Sequence, residues 1–122
     1  MAWKFQSGLA LTVQIVDRLR ADILKGVYEI GGQFPPVRQL AYDAGVNPNT
    51  MQKALTLLEK EGLLITNSTI GRTVTDNLAV LSDAKRKALD SFTDNIIKEA
   101  KKLSLDKKEL LKSIEKGWAK DE

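Results

Sequence analysis

Asn47, Asn49, Thr50, Gln52 and Lys53 lie within one short stretch of the chain, and Thr56 follows closely. The chemistry these side chains share is hydrogen bonding, not bond breaking. A carboxamide donates and accepts at once, so Asn and Gln can form paired bonds with an adenine edge. Thr can bond a base or a phosphate or touch a thymine methyl, and Lys can reach guanine or phosphate. Arg38 offers a guanidinium to phosphate or a base edge, and Thr69, Gly71 and Arg72 form a second polar group suited to the minor groove or the backbone. Catalysis has little to work with. The chain has no His and no Cys, so it lacks the commonest general base at neutral pH and every thiolate metal ligand. It also lacks a paired-carboxylate cluster and a phosphate-cradling glycine loop. No enzyme, metal or cofactor is expected.

Side chains that read DNA need a rigid carrier. Met51, Ala54, Leu55 and Leu58 follow i, i+3, i+4, i+7, which predicts a helix with Asn49, Gln52, Lys53 and Thr56 opposite its apolar stripe. Asn47 suits its N-cap and Pro48 its first position; it runs to about Lys60, and Gly62 closes it. Val37, Leu40, Ala41 and Ala44 repeat the pattern just upstream, with Pro36 expected in that helix's first turn. Gly45-Val46-Asn47-Pro48 is the turn between the two.

Val16, Leu19 and Ile23, with Ile15 beside them, mark a first helix from about Leu11 to Lys25, stopped by Gly26. Tyr28 to Pro36, with paired Gly and paired Pro, reads as a loop. Leu63–Thr66 and Arg72–Thr75 read as strands around a turn. Helix, loop, short helix, turn, helix, hairpin is the order of a winged helix-turn-helix, whose second paired helix enters the major groove.

A different pattern begins near Leu78. Leu81, Ala84, Ala88, Phe92, Ile96, Ala100 and Leu103 fall mostly four apart, as in a long amphipathic helix, and Leu89 and Ile97 widen the stripe. Ser104 is expected to cap a further helix with Leu111, Ile114 and Trp118 on one face and Leu110 adjacent. The expected fold is mainly α with a small β-hairpin wing: a winged helix-turn-helix over residues 1–75 and a two-helix tail over 76–122. The apolar face of the tail exceeds what one small domain covers, and such faces usually mark interfaces. Leu81, Ala88, Phe92, Ile96, Leu103, Leu111, Ile114 and Trp118 are therefore expected at a homodimer interface. Folding back onto the chain's own domain is the alternative. Two helices are too few to enclose a pocket of ~300–1,000 Å³ unaided, so no effector is named.

Bulk charge contributes little. The net charge is +3. Up to Thr75 there are 8 Lys/Arg against 6 Asp/Glu, and after it 11 against 10. Neither part is a basic block, so a DNA role rests on pattern. Met1 to Gln6 has no signal-peptide character, and no apolar run is long enough for a bilayer. A soluble, cytoplasmic protein without membrane association is expected, and the lack of cysteine fits a reducing compartment.

The segment from Val13 to Thr75 resembles the GntR family of bacterial regulators. The resemblance is carried by Gln14-Ile15, Gly26, Gly31, Phe34-Pro35-Pro36-Val37-Arg38-Gln39-Leu40-Ala41, Gly45 to Thr50, Ala54-Leu55, Leu58-Glu59, Glu61-Gly62-Leu63 and Gly71. Val46-Asn47-Pro48-Asn49-Thr50 is similar to the YtrA subfamily, whose tail is a short helix pair. Pro36 and Phe34 stand where the family usually has Ser and Leu, which removes one possible cap or phosphate contact. The wing lacks the basic tip and Phe of many relatives. The resemblance implies that Arg38, Asn49, Thr50, Gln52 and Lys53 contact DNA, that the hairpin around Gly71 is the wing, and that the protein is a dimeric regulator. The subfamily often represses transporter operons. A two-fold dimer would read a palindromic operator with half-sites ~34–36 Å apart, or a multiple of that.

Simpler readings stand beside these. A polar helix face can be merely solvated, Asn47 merely a cap, and Arg72 merely a solubilising charge. Arg38 can pair internally, with Asp43 as one candidate. Winged helices also serve as protein-interaction modules without reading DNA.

Overall fold

Ile15, Val16, Leu19 and Ile23 of α1 (Leu11–Leu24) are buried together with Met51, Ala54, Leu55 and Leu58 of α3 (Pro48–Lys60). Both predicted stripes thus face one core. α2 (Val37–Ala44) packs on α3 and adds Leu40, Ala41 and Ala44. The structure, a computed structural model, describes residues 2–121. The chain divides into two compact units, Met1–Ala84 and Lys85–Glu122.

The helix ends follow local chemistry. α2 closes at Gly45, whose φ of +73° favours glycine and lets the Gly45 and Val46 N–H groups return to the Ala41 carbonyl. An added Cβ there would lie 2.7 Å from the Cβ of Ala2. Pro36 is not inside α2. It is the extended N-cap residue, and its carbonyl accepts the Leu40 N–H at 3.1 Å. No side chain caps this end, as expected where Pro replaces a Ser.

β1 (Leu64–Asn67) and β2 (Gly71–Val74) form an antiparallel hairpin with Leu64 opposite Val74 and Thr66 opposite Arg72. Both strands are offset by one residue from the sequence expectation. Asn67 causes this: its Oδ1 accepts the Thr69 and Ile70 N–H groups at 2.9 and 3.2 Å and pulls the turn tight. The loop before α2 joins the hairpin as a third edge. Gly31 N–H donates to the Val74 carbonyl, Val74 N–H to that of Gly32, and Phe34 N–H to that of Arg72. Phe34, Leu63, Leu64 and Val74 complete the core.

The N-terminal segment is also part of this unit. The Trp3 N–H donates to the Ala44 carbonyl at 3.1 Å, and the Arg18 guanidinium lies 4.3 Å from the Trp3 ring centroid. Trp3 and Phe5 pack against the core. The unit continues past Thr75 because Val80, Leu81 and Ala84, in the first turns of α4 (Leu78–Lys102), pack on that core too. Leu81, expected at a dimer interface, is therefore half-buried within its own N-terminal unit.

The second unit holds the rest of α4 and α5 (Lys107–Asp121). Ser104 does not cap α5. It has φ +56° and reverses the chain after α4, with its N–H on the Lys101 carbonyl. The cap is Asp106. Its Oδ1 accepts the Glu109 N–H at 2.8 Å while Glu109 Oε2 accepts the Asp106 N–H at 3.0 Å, a reciprocal capping box. Among the described residues of these two helices, Ala100 alone is buried. Among the described residues no helix is long and apolar enough to cross a membrane, and no acidic cluster could hold a metal.

Candidate nucleic-acid interface

With Met51, Ala54, Leu55 and Leu58 sealed in the core, the opposite side of α3 is set by helical geometry. Asn49, Gln52, Lys53 and Thr56 stand at i, i+3, i+4 and i+7, and all four are exposed. They form one continuous polar ridge. Gln52 and Thr56 are linked along it: the Thr56 hydroxyl donates to the Gln52 carbonyl at 3.0 Å and lies 3.5 Å from Gln52 Nε2. Thr50 is half-buried at the edge of the ridge.

Asn47 is the N-cap. Its Oδ1 accepts the Asn49 N–H at 2.7 Å, which leaves its amide nitrogen free to donate to another partner. Arg38 is exposed on the second residue of α2. It makes no ion pair among the described residues. The Arg38–Asp43 pair is not formed, and the Asp43 carboxylate accepts Gln39 Nε2 at 2.8 Å.

On the hairpin, Thr69 and Gly71 are exposed at the turn, and Gly71 has φ +86°. Arg72 behaves differently. Its Nε donates to Glu59 Oε1 at 2.6 Å, and its side chain is only 19% exposed. The Thr66 hydroxyl donates to the other oxygen of the same carboxylate. Burial works to raise the Glu59 carboxyl, but the Thr66 and Arg72 hydrogen bonds and the Arg72 charge outweigh it and hold the group below its ordinary value.

Glu59 and Gln33 are the site residues that spacing did not single out. Gln33 Nε2 donates to the Ile70 carbonyl at 2.9 Å and braces the wing tip from the loop. No periodicity marks either contact, because each joins residues far apart in the chain.

In the tail, Phe92 is 58% exposed, Leu103 73% and Trp118 70%. Leu111 and Ile114 are also exposed. Ala88 and Ile96, on α4 with Phe92, are half-buried. Ile97, Ala100, Leu105 and Leu110 line an open apolar cavity of about 230 Å³ within this unit.

Known proteins share this arrangement. The family model described as "Bacterial regulatory proteins, gntR family" matches residues 11–74. The HTH-type transcriptional regulator YhcF of Bacillus subtilis is 28% identical over 111 residues, 91% of this chain and 92% of that protein. The HTH-type transcriptional repressor YtrA of the same organism is 35% identical over 72 residues, 59% of this chain and 55% of that one. A solved GntR family transcriptional regulator from Listeria monocytogenes superposes with a TM-score of 0.88 at 28% identity, covering 92% of this chain and 98% of its own. A match over more than half the chain, on a winged helix-turn-helix with an exposed polar ridge, settles the family: the chain belongs to the gntR family of bacterial regulatory proteins and is a transcriptional regulator with a DNA-binding domain, not an enzyme.

Proposed function

We propose that this regulator is a homodimeric repressor that places the α3 ridge in the major groove of a palindromic operator. The observation that carries the proposal is the exposed line Asn49, Gln52, Lys53, Thr56 on a helix whose other side is fully buried. Two carboxamides, a hydroxyl and one ammonium suit adenine edges, thymine methyls and a guanine or phosphate. Arg38 and the Thr69–Gly71 tip add backbone contacts at either side, and the Asn47 amide nitrogen a further one.

Repression is supported by the likeness to a relative named as a repressor. Dimerisation through the tail is supported by the exposed apolar residues Phe92, Leu103, Leu111, Ile114 and Trp118, since exposed apolar side chains grouped on one helix pair commonly mark an interface. Ala88 and Ile96 belong to the same proposed interface. A transporter operon is the regulated target that the resemblance favours, and the bacterial cytoplasm is where such a protein works.

Arg38 and Lys53 are the exposed cations of the interface. Two per protomer give a salt dependence of about −4 in log K against log [salt] for the dimer. Selection of duplexes from a random pool with the full chain is the test. A palindromic consensus, bound less tightly after Arg38→Ala, supports the proposal. A pool without any enriched sequence would instead favour a protein-interaction module.

A further inference from the structure

We infer that Glu59 is a positioning residue for the wing and that Arg72 acts through Glu59 and not as a ligand of DNA. This rests on the DNA-reading role proposed above and adds how the second DNA-facing element is aimed.

Glu59 lies on α3, the helix that carries the ridge. It is seven residues beyond Gln52, so about 10 Å along a rigid helix. Its carboxylate takes the Arg72 Nε on one oxygen and the Thr66 hydroxyl on the other. Thr66 and Arg72 are direct partners across the hairpin. One carboxylate therefore holds both strands at the same rung, next to the Asn67–Gly71 pair that opens the turn. The Arg72 backbone is fixed as well, because its carbonyl accepts the Phe34 N–H at 2.8 Å.

The Arg72 side chain is four-fifths covered and gives its Nε to the Glu59 carboxylate at 2.6 Å, so its charge is engaged within the molecule before any phosphate is met. Its positive charge is locally cancelled. What the pair supplies is geometry. The tip, from Asn67 to Gly71, is held at a set distance and angle from Asn49, Gln52, Lys53 and Thr56. Small displacements of a positioning group weaken contacts it never touches.

The experiment uses the full chain and a selected operator duplex. Affinity is measured across a salt series for wild type, Arg72→Met, Glu59→Gln and the double variant, with thermal unfolding alongside. Each single change is expected to weaken binding about 3- to 10-fold, and the double change no more than the worse single. The salt slope stays at the wild-type value in Arg72→Met. A slope shallower by ~0.9 per protomer in Arg72→Met, with Glu59→Gln binding as wild type, would overturn the inference. Additive losses in the double variant would overturn it too. If these variants fail to fold, Glu59→Asp carries the test: weakened binding at unchanged slope supports positioning, and wild-type affinity contradicts it. A wild-type chain that enriches no duplex defeats the DNA reading itself. A wild-type chain that binds its duplex, with a shallower Arg72→Met slope and wild-type Glu59→Gln binding, defeats the roles given to Arg72 and Glu59 and leaves the DNA reading standing.

Discussion

The Arg20 guanidinium grips both oxygens of the Glu61 carboxylate, Nε to Oε1 at 2.8 Å and Nη2 to Oε2 at 2.6 Å. A third donor, Nη1, reaches Asp17 Oδ1 at 2.9 Å. Glu61 is the C-cap residue of α3. The pair therefore ties the far end of the DNA-reading helix to α1, independently of the apolar core. Both side chains are about one-third exposed, so the bidentate geometry is partly screened. Arg20→Met is expected to lower stability by about 1 kcal/mol. A urea titration reads this as a lower midpoint, and the difference from wild type should shrink in about 1 M salt as screening grows.

Asn47 separates helix capping from DNA contact. Asn47→Ala removes the acceptor for the Asn49 N–H and is expected to destabilise the protein by about 1 kcal/mol. Asn47→Asp keeps an acceptor at the same place and should unfold at the wild-type temperature. It adds a negative charge at the start of the helix, where a phosphate is expected, so operator binding should fall sharply. Thermal melts beside an anisotropy titration distinguish the two effects. Wild-type affinity in the Asn47→Asp protein would place the helix start away from the phosphate backbone.

The wing should loosen in acid. The Glu59 carboxyl is held below its ordinary value of 4.5. A group with a lowered folded pKa contributes stability that is complete above the unfolded pKa and is lost as pH falls through the folded one. The Thr66–Glu59–Arg72 cluster is thus intact at neutral pH and weakens below about 4.5. Glu59→Gln removes this titration. Its stability should fall less steeply than wild type between about pH 5 and 3, measured by denaturant midpoints at each pH.

Two charges placed on the proposed tail interface, by Phe92→Asp combined with Ile96→Asp, should yield a monomer by sedimentation, with the N-terminal unit still folded by circular dichroism. Trp118, 70% exposed in the single chain, should gain access to iodide quenching in that variant. A dimer that persists would move the interface elsewhere.

What could be read from the sequence was local. The stripes on α1, α2 and α3 turn inward the residues that helical spacing selected, Val37 only partly, because a period of about 3.6 leaves little choice of inward face. Asn47 capping and Gly45 termination follow from side-chain and backbone chemistry within a few residues. Element edges were less legible. Ser104 and Asp106 are both competent caps, and only the +56° φ of Ser104 decides that it turns the chain while Asp106 starts α5. Contacts between distant residues leave no trace in spacing. Position alone presents Arg72 as a free hairpin cation, and only the fold brings Glu59 beside it. Trp3 sits in a terminus without any periodic pattern, yet it packs on the core under Arg18.

The most direct measurement is an anisotropy titration of Gln52→Ala against the selected operator, paired with its unfolding midpoint. Gln52 is exposed, so stability should stay within about 0.5 kcal/mol of wild type, whereas Leu55→Ala, at a buried neighbour, should lose about 2–5 kcal/mol. If the α3 ridge reads base edges, Gln52→Ala weakens binding by ~1–3 kcal/mol per contact and relaxes the preferred base at one position in each half-site. A folded Gln52→Ala protein with wild-type affinity and an unchanged consensus would contradict the placement of this helix in the groove.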